Sequence, residues 1–175
     1  MKPLIQVGHS YLALSQGEQQ LRDALYEEAA ESYKRALEVS RSIPIEEAFD
    51  YEGFDALCHT GLSGAYVKLG RYAEAIHSAD IGLHYFNRRG ELHQDEGKQW
   101  IAAVLNRAQA LGGIGQTEEA LRTYRIAGEM IAERKAELPG KEELQQLIVE
   151  HVSKLQPLVA DKKPAGYKAW WEFWS

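Results

Sequence analysis

Three segments of the chain repeat one register, and that repetition limits the fold more than any other feature of the sequence. Ala24-Leu25-Tyr26-Glu27-Glu28-Ala29-Ala30, Gly70-Arg71-Tyr72-Ala73-Glu74-Ala75-Ile76 and Gly115-Gln116-Thr117-Glu118-Glu119-Ala120-Leu121 align without a gap. Ala29, Ala75 and Ala120 are 46 and 45 residues apart, and the match runs on: Tyr33, Ala79 and Tyr124 align, then Ala36, Gly82 and Ala127, then Leu37, Leu83 and Gly128. Apolar or small residues therefore recur at i, i+1, i+4, i+7 and i+8, which is one face of an α-helix. Small residues on that face imply that another helix axis passes close by. A supersecondary unit of this kind cannot bury its apolar face alone, so neighbouring units must stack.

The residues around each turn sharpen the picture. Ala65-Tyr66, Leu69-Gly70 and Tyr72 to Ala75 form one set, and Ala110-Leu111, Ile114-Gly115 and Glu119-Ala120 follow it more loosely. In this the chain resembles the tetratricopeptide (TPR) family over about residues 10 to 135. The resemblance implies an all-α, right-handed solenoid of helix pairs whose first helices line a concave surface for another polypeptide. Two features depart from the family. The period is 45 or 46 residues rather than roughly 34. In the first unit Gln16 and Gln20 stand where large apolar residues are expected, and Ala24 replaces the turn glycine. The longer period predicts three long helix pairs, similar to those of kinesin-light-chain-type adaptors. The stretches EEAFDYEGFDALCHTGL and HSADIGLHYFNRRGELHQDEGKQWI and the ending GYKAWWEFWS also resemble a small set of uncharacterised bacterial TPR-like proteins, which implies the same fold and carries no function over.

Read in order, the pattern predicts helices over 4–21, 25–41, 44–69, 72–87, 91–113 and 117–136. Pro3 suits a first helical turn, Arg88-Arg89-Gly90 a helix end, and Leu138-Pro139-Gly140 a break. Gly53 marks a possible bend in the third helix. A seventh helix, 141–159, carries one apolar stripe (Leu144, Leu147, Ile148, Val152, Leu155 and Val159) and fits the cap that a terminal repeat requires. The domain then covers 1–159. Residues 160–166 read as a polar linker. Residues 167–175 form an aromatic segment in which Tyr167, Trp170, Trp171 and Trp174 share one helical stripe with Phe173 beside it.

Composition excludes several classes of function. A net charge of −6 without a basic stripe argues against nucleic acid, which is bound through Lys and Arg. The single cysteine, Cys58, allows no internal disulfide and suits a reducing compartment. No apolar run approaches the roughly 20 residues of a bilayer span, and Met1-Lys2-Pro3-Leu4 does not open a signal peptide. The expectation is a cytoplasmic protein.

No reaction is written into the residues. His77, Asp80 and His84 can share a face of the fourth helix, yet a zinc site needs further ligands, and the helix edge is their simpler role. Gly112-Gly113-Ile114-Gly115 lies between helices, where a turn is required, and lacks the strand that precedes a phosphate loop. Cys58 and His59 are neighbours on a helix and point about 100° apart, so they do not form a dyad. The acidic pairs Glu27-Glu28 and Glu118-Glu119 sit in first helical turns as dipole partners. Catalytic residues, metals and cofactors are accordingly not expected.

What remains is binding. The register places Tyr11, Leu14, Leu57, Thr60, Gly64, Val67, Ala102, Leu105, Asn106 and Gln109 on the concave face, with Gly61, Gly112 and Gly113 leaving room for large side chains. Asn87, Arg88 and Arg89 form a candidate polar contact patch. The carboxylate clamp of some TPR domains would fall on Leu14, Glu18, Gly61, Ala102 and Asn106, and only one of the five matches it. The expected function is an adaptor or assembly scaffold for a protein or peptide of unknown identity. The aromatic segment is a candidate occupant of the groove, in its own chain or by exchange in a homodimer. The alternatives are a peripheral membrane module anchored by that segment and a metal-dependent regulator.

Overall fold

The three turns inside the helix pairs are one structure made three times. In the computed structural model, which describes residues 2–160, Ala24, Gly70 and Gly115 all adopt the left-handed conformation, with φ of 59°, 72° and 80°. Around each, the same two bonds close the helix. The amides of Leu25, Arg71 and Gln116 donate to the carbonyls of Gln20, Tyr66 and Leu111 at 2.8, 2.9 and 2.9 Å. Those of Ala24, Gly70 and Gly115 donate to Leu21, Val67 and Gly112 at 3.3, 3.1 and 3.1 Å. This is a Schellman arrangement, which satisfies carbonyls that a helix end otherwise leaves open. The next helix starts at once. The amides of Ala29, Ala75 and Ala120 donate to Leu25, Arg71 and Gln116 at 2.9, 3.0 and 2.9 Å.

Seven helices follow from these turns: α1 (Lys2–Arg22), α2 (Tyr26–Ser40), α3 (Tyr51–Lys68), α4 (Tyr72–Arg89), α5 (Glu96–Gly113), α6 (Thr117–Glu133) and α7 (Lys141–Ala160), with no strand among the described residues. Each helix packs on the next in sequence. The first helices also touch one another, α1 on α3 and α3 on α5, whereas the second helices do not pack closely together. The inner layer is thus tighter than the outer one, and the stack curves around it. The aligned alanines are fully buried, as are Tyr124, Ala79, Ala36 and Ala127 at the aligned positions of the following turns.

The extra residues of each unit do not lengthen helices. α3 and α5 begin at Tyr51 and Glu96 rather than at 44 and 91, so each is about 27 Å long. The additional chain forms the connections between pairs. In 41–50, Tyr51 donates its hydroxyl to the carbonyls of Ile43 (2.6 Å) and Pro44 (3.0 Å). Phe49 packs between Tyr11, Tyr51 and Phe54, with ring centroids 4.9–6.1 Å apart. Asp50 then caps α3 by accepting from the Gly53 amide at 2.9 Å, so Gly53 belongs to a first turn and bends nothing. In the second connection Gly90 ends α4 at φ 66°. The buried Arg134 fastens the following loop. Its Nη1 donates to the carbonyls of Leu92 and Gln94, and its Nε and Nη2 donate to the carbonyl of Glu137. α6 ends at Glu133, short of 136, because Arg134 leaves the helix with ψ 119°.

α7 lies against the third pair. Leu144, Leu147, Ile148, Val152 and Leu155 pack on the core formed by Ile101, Val104, Leu105, Tyr124 and Ile131, and the His151 ring stacks on Tyr124 at 5.4 Å. Val149 and Leu158 remain exposed. Residues 161–175 lie outside the described residues, and with them the expectations for Tyr167, Trp170, Trp171, Phe173 and Trp174.

Candidate functional site, a groove on the inner face

The inner layer encloses a groove of about 470 Å³ between α1, α3 and α5, with Tyr26 and Tyr33 of α2 at one end and Leu147 of α7 at the other. Its walls follow the repeat register. Leu57 and Ala102 occupy one aligned column, Glu18, Gly64 and Gln109 the next, and Leu21 and Val67 a third. Seven of the ten positions expected on the concave face line it: Leu57, Thr60, Gly64, Val67, Ala102, Asn106 and Gln109.

Three do not. Leu14 and Leu105 stand in the column of Thr60, but both pack into the core, and of that column only Thr60 reaches the groove wall. Thr60 itself is 3% exposed and donates its hydroxyl to the Ala56 carbonyl at 2.8 Å. Tyr11 sits in the middle of α1, two turns before Glu18, and packs edge-on against Phe54 at 5.1 Å. The glycines also divide. A Cβ on Gly61 would fall inside the Tyr33 ring, one on Gly113 would come 2.5 Å from Tyr72, and one on Gly112 would meet Leu155 at 3.6 Å. Gly112 and Gly113 do not line the groove, whereas Gly61 does, with the Tyr33 ring packed against it. Gly64 lines the groove as well, and a Cβ there would meet Asn106 at 3.4 Å and Leu21 at 3.5 Å.

The floor is rigid where it matters. Asn106 spans α5 and α3, its amide nitrogen donating to Ser63 Oγ at 2.9 Å and to the Thr60 carbonyl at 3.3 Å. Tyr33 lies between Gly17 and Gly61 with its ring buried, and burial pushes its phenol up, so it stays neutral. The rim carries Glu18, Arg22, Lys68, Gln99 and Gln109 around the apolar Leu21, Leu57, Val67 and Ala102. A mostly apolar trough with a few polar groups at its edge suits the side chains of an amphipathic segment.

Sequence reasoning missed Glu18, Leu21, Arg22, Tyr26, Gln99 and Lys68. The register could have found the first two, since Glu18 and Leu21 stand one repeat before Gly64 and Val67. Leu147 carries no such signal, because α7 lies outside the repeat.

The other candidates are engaged within the fold. Asn87 accepts from Trp100 Nε1 at 2.9 Å, Arg88 pairs with Glu52, and Arg89 pairs with Glu91 at 3.1 Å. These residues tie α4 to its neighbours, although Arg88 and Arg89 remain half in solvent. Asp80 accepts from Arg107 Nε at 2.8 Å, which withdraws it from His77 and His84. Among the described residues no three His, Cys, Asp or Glu side chains cluster as metal ligands. Cys58 is fully buried and its thiol is pushed up to about 12 by desolvation, which makes it unreactive. Burial holds the His59 imidazole below its ordinary range. No helix among the described residues is long and apolar enough to cross a membrane.

The family described as Domain of Unknown Function (DUF3856) matches residues 2–144. Among solved structures, a TPR-like protein from Chlorobium tepidum TLS is 52% identical, with a TM-score of 0.86 over 89% of this chain and 99% of that one. No curated protein matches.

Proposed function

The chain belongs to the DUF3856 family, and from the groove its TPR-like helices build we propose a non-catalytic protein-interaction module. The single observation that carries this reading is the alignment of the groove with the repeat. The trough on the inner layer takes its walls from successive first helices, so each unit offers one stripe to a partner lying across them. Its apolar stripes at Leu21, Leu57, Val67 and Ala102 favour a helix or extended peptide with large apolar anchors. Glu18, Arg22, Lys68 and Gln109 at the rim would fix its direction. The buried Cys58 and the ion-paired Asp80 offer no nucleophile or metal site in support of a reaction.

The test is affinity capture from the source cell with the full chain and with Gly64→Phe. A Cβ at Gly64 meets Asn106 and Leu21 at ordinary contact distances, and a phenyl group there projects into the trough that Gly64 lines. The expected result is a partner retained by the native chain and lost by the variant, while the circular dichroism of the two is the same. A partner set indifferent to the substitution would place the interaction elsewhere.

A further inference from the structure

We propose that the groove is occupied, in the resting protein, by the aromatic segment 167–175 of the same chain. The proposal rests on the groove reading and adds its regulation: a partner must displace an internal ligand. Three observations meet here.

The first is reach. α7 runs from the groove, which Leu147 lines, to the turn after α5, where Leu155 lies against Gly112. Gln109, one helical turn before Gly112, lines the groove. Ala160 ends α7 five residues beyond Leu155, about 7.5 Å further along the axis. Residues 161–166 can span at most ~20 Å when extended, so position 167 can return to the trough without leaving the molecule.

The second is fit. Tyr167, Trp170, Trp171 and Trp174 form one stripe if the segment is helical, and such a stripe left in water is a large apolar patch. The natural competing place would be that of a second helix pairing with α7. The register forbids it. In all three pairs the fifth residue after the left-handed turn residue is an alanine, fully buried at the helix crossing. Were Gly166 the turn residue of a fourth pair, that position would be Trp171, whose indole cannot enter such a crossing. Bulky anchors need a recess, and the groove supplies one of about 470 Å³ beside Gly64 and Ala102.

The third is charge and ring chemistry. Arg22 and Lys68 at the rim can lie over indole faces. Lys162 and Lys163 precede the segment and Lys168 lies within it, which outweighs Asp161 and Glu172 and favours approach to a chain whose net charge is −6.

The experiment uses the full chain and needs no partner. Three of its four tryptophans are in the segment, and Trp100 on the outer side is a constant background. The native protein is expected to show blue-shifted indole emission that acrylamide quenches weakly. Gly64→Phe, and separately Ala102→Phe on another helix, should shift the emission to the red and raise quenching several-fold. The cooperative melt should persist, and the native signal should be independent of protein concentration. Either variant decides if the other fails to fold. Native emission already typical of water would overturn the proposal. So would emission unmoved by both variants, as expected if the segment covered Val149 and Leu158 on α7. A blue shift lost on dilution would also overturn it, because the segment would then dock on a second copy. Loss of internal docking with groove-dependent capture intact would leave the interaction reading standing. The reverse pattern would make the groove a self-site alone.

Discussion

The turns inside the pairs and the connections between them solve the same problem by different means. Inside a pair, three residues reverse the chain, and backbone bonds alone do the work. None of the second helices α2, α4 and α6 has a side-chain cap, and the geometry recurs at Ala24, Gly70 and Gly115. Between pairs, each connection is made once. The first is held by the aromatic ring of Phe49 and the hydroxyl of Tyr51, the second by the guanidinium of Arg134. Backbone geometry repeats because it depends on one conformation. Side-chain solutions need not, because many sets of contacts close a loop. The difference implies that damage to a connection costs more than damage to a turn.

Arg134→Met is the hardest test of that contrast. It removes a buried donor group and leaves the carbonyls of Leu92, Gln94 and Glu137 without it, at a cost of roughly 2–4 kcal/mol. Lysine should not rescue it, since one ammonium cannot reach three carbonyls held by a planar fork. Urea denaturation midpoints measure both. An Arg134→Met midpoint no lower than that of the turn variants below would break the comparison.

Next in size is Ala75→Leu, at the fully buried crossing that follows the second turn. Overpacking there should cost roughly 1–3 kcal/mol, and an unmoved midpoint would show that the crossing is looser than described.

The turn residue itself supplies a pair of opposite signs. Gly70→Ala forces an alanine to φ 72° and should lose about 1 kcal/mol. Ala24→Gly relieves the same strain in the first unit and should gain ~0.5–1 kcal/mol. Equal signs would mean that the three turns are not equivalent.

The smallest effect concerns the cap, another element made only once. Burial lowers the imidazole of His151 below its ordinary 6.5, so the folded state favours the neutral ring stacked on Tyr124. As pH falls through about 6.5 the unfolded chain takes up the proton first. The stabilisation, present above that pH, is therefore lost as the pH drops towards the folded-state value. His59 acts in the same direction from α3. The loss between pH 7.5 and 5.5, followed by thermal melts, should be smaller in His151→Gln.

The same contrast explains what could be read in the sequence. Repetition made the pairs, their turns and the inner columns legible, because three aligned copies cancel local accident. Gln16 and Gln20 looked like defects in the first unit, and each finds a polar partner there. Gln16 accepts from Arg35, and the Gln20 amide lies 2.6 Å from the Ser32 hydroxyl. What occurs once left no such trace. The helical pattern extends over 44–50 and 91–95 as well, because no register marks where the helices at Tyr51 and Glu96 begin. The capping geometry of Asp50 is hidden among four other acidic residues within six positions, Glu46, Glu47, Glu52 and Asp55. At the groove, the columns placed the right helices but not the depth of each residue. Leu14 and Leu105 share a column with Thr60, and only the packing of α2 and α6 behind them shows that they belong to the core.

The account's central claim is that partners are read from the inner layer between α1, α3 and α5. Site-specific photo-crosslinking in the source cell tests it most directly, with the probe at Gln109 in the groove and at the exposed Ile126 on the outer helix α6. The account predicts a discrete crosslinked species from Gln109 that Gly64→Phe abolishes, and none from Ile126. A species captured at Ile126 and not at Gln109 would contradict it.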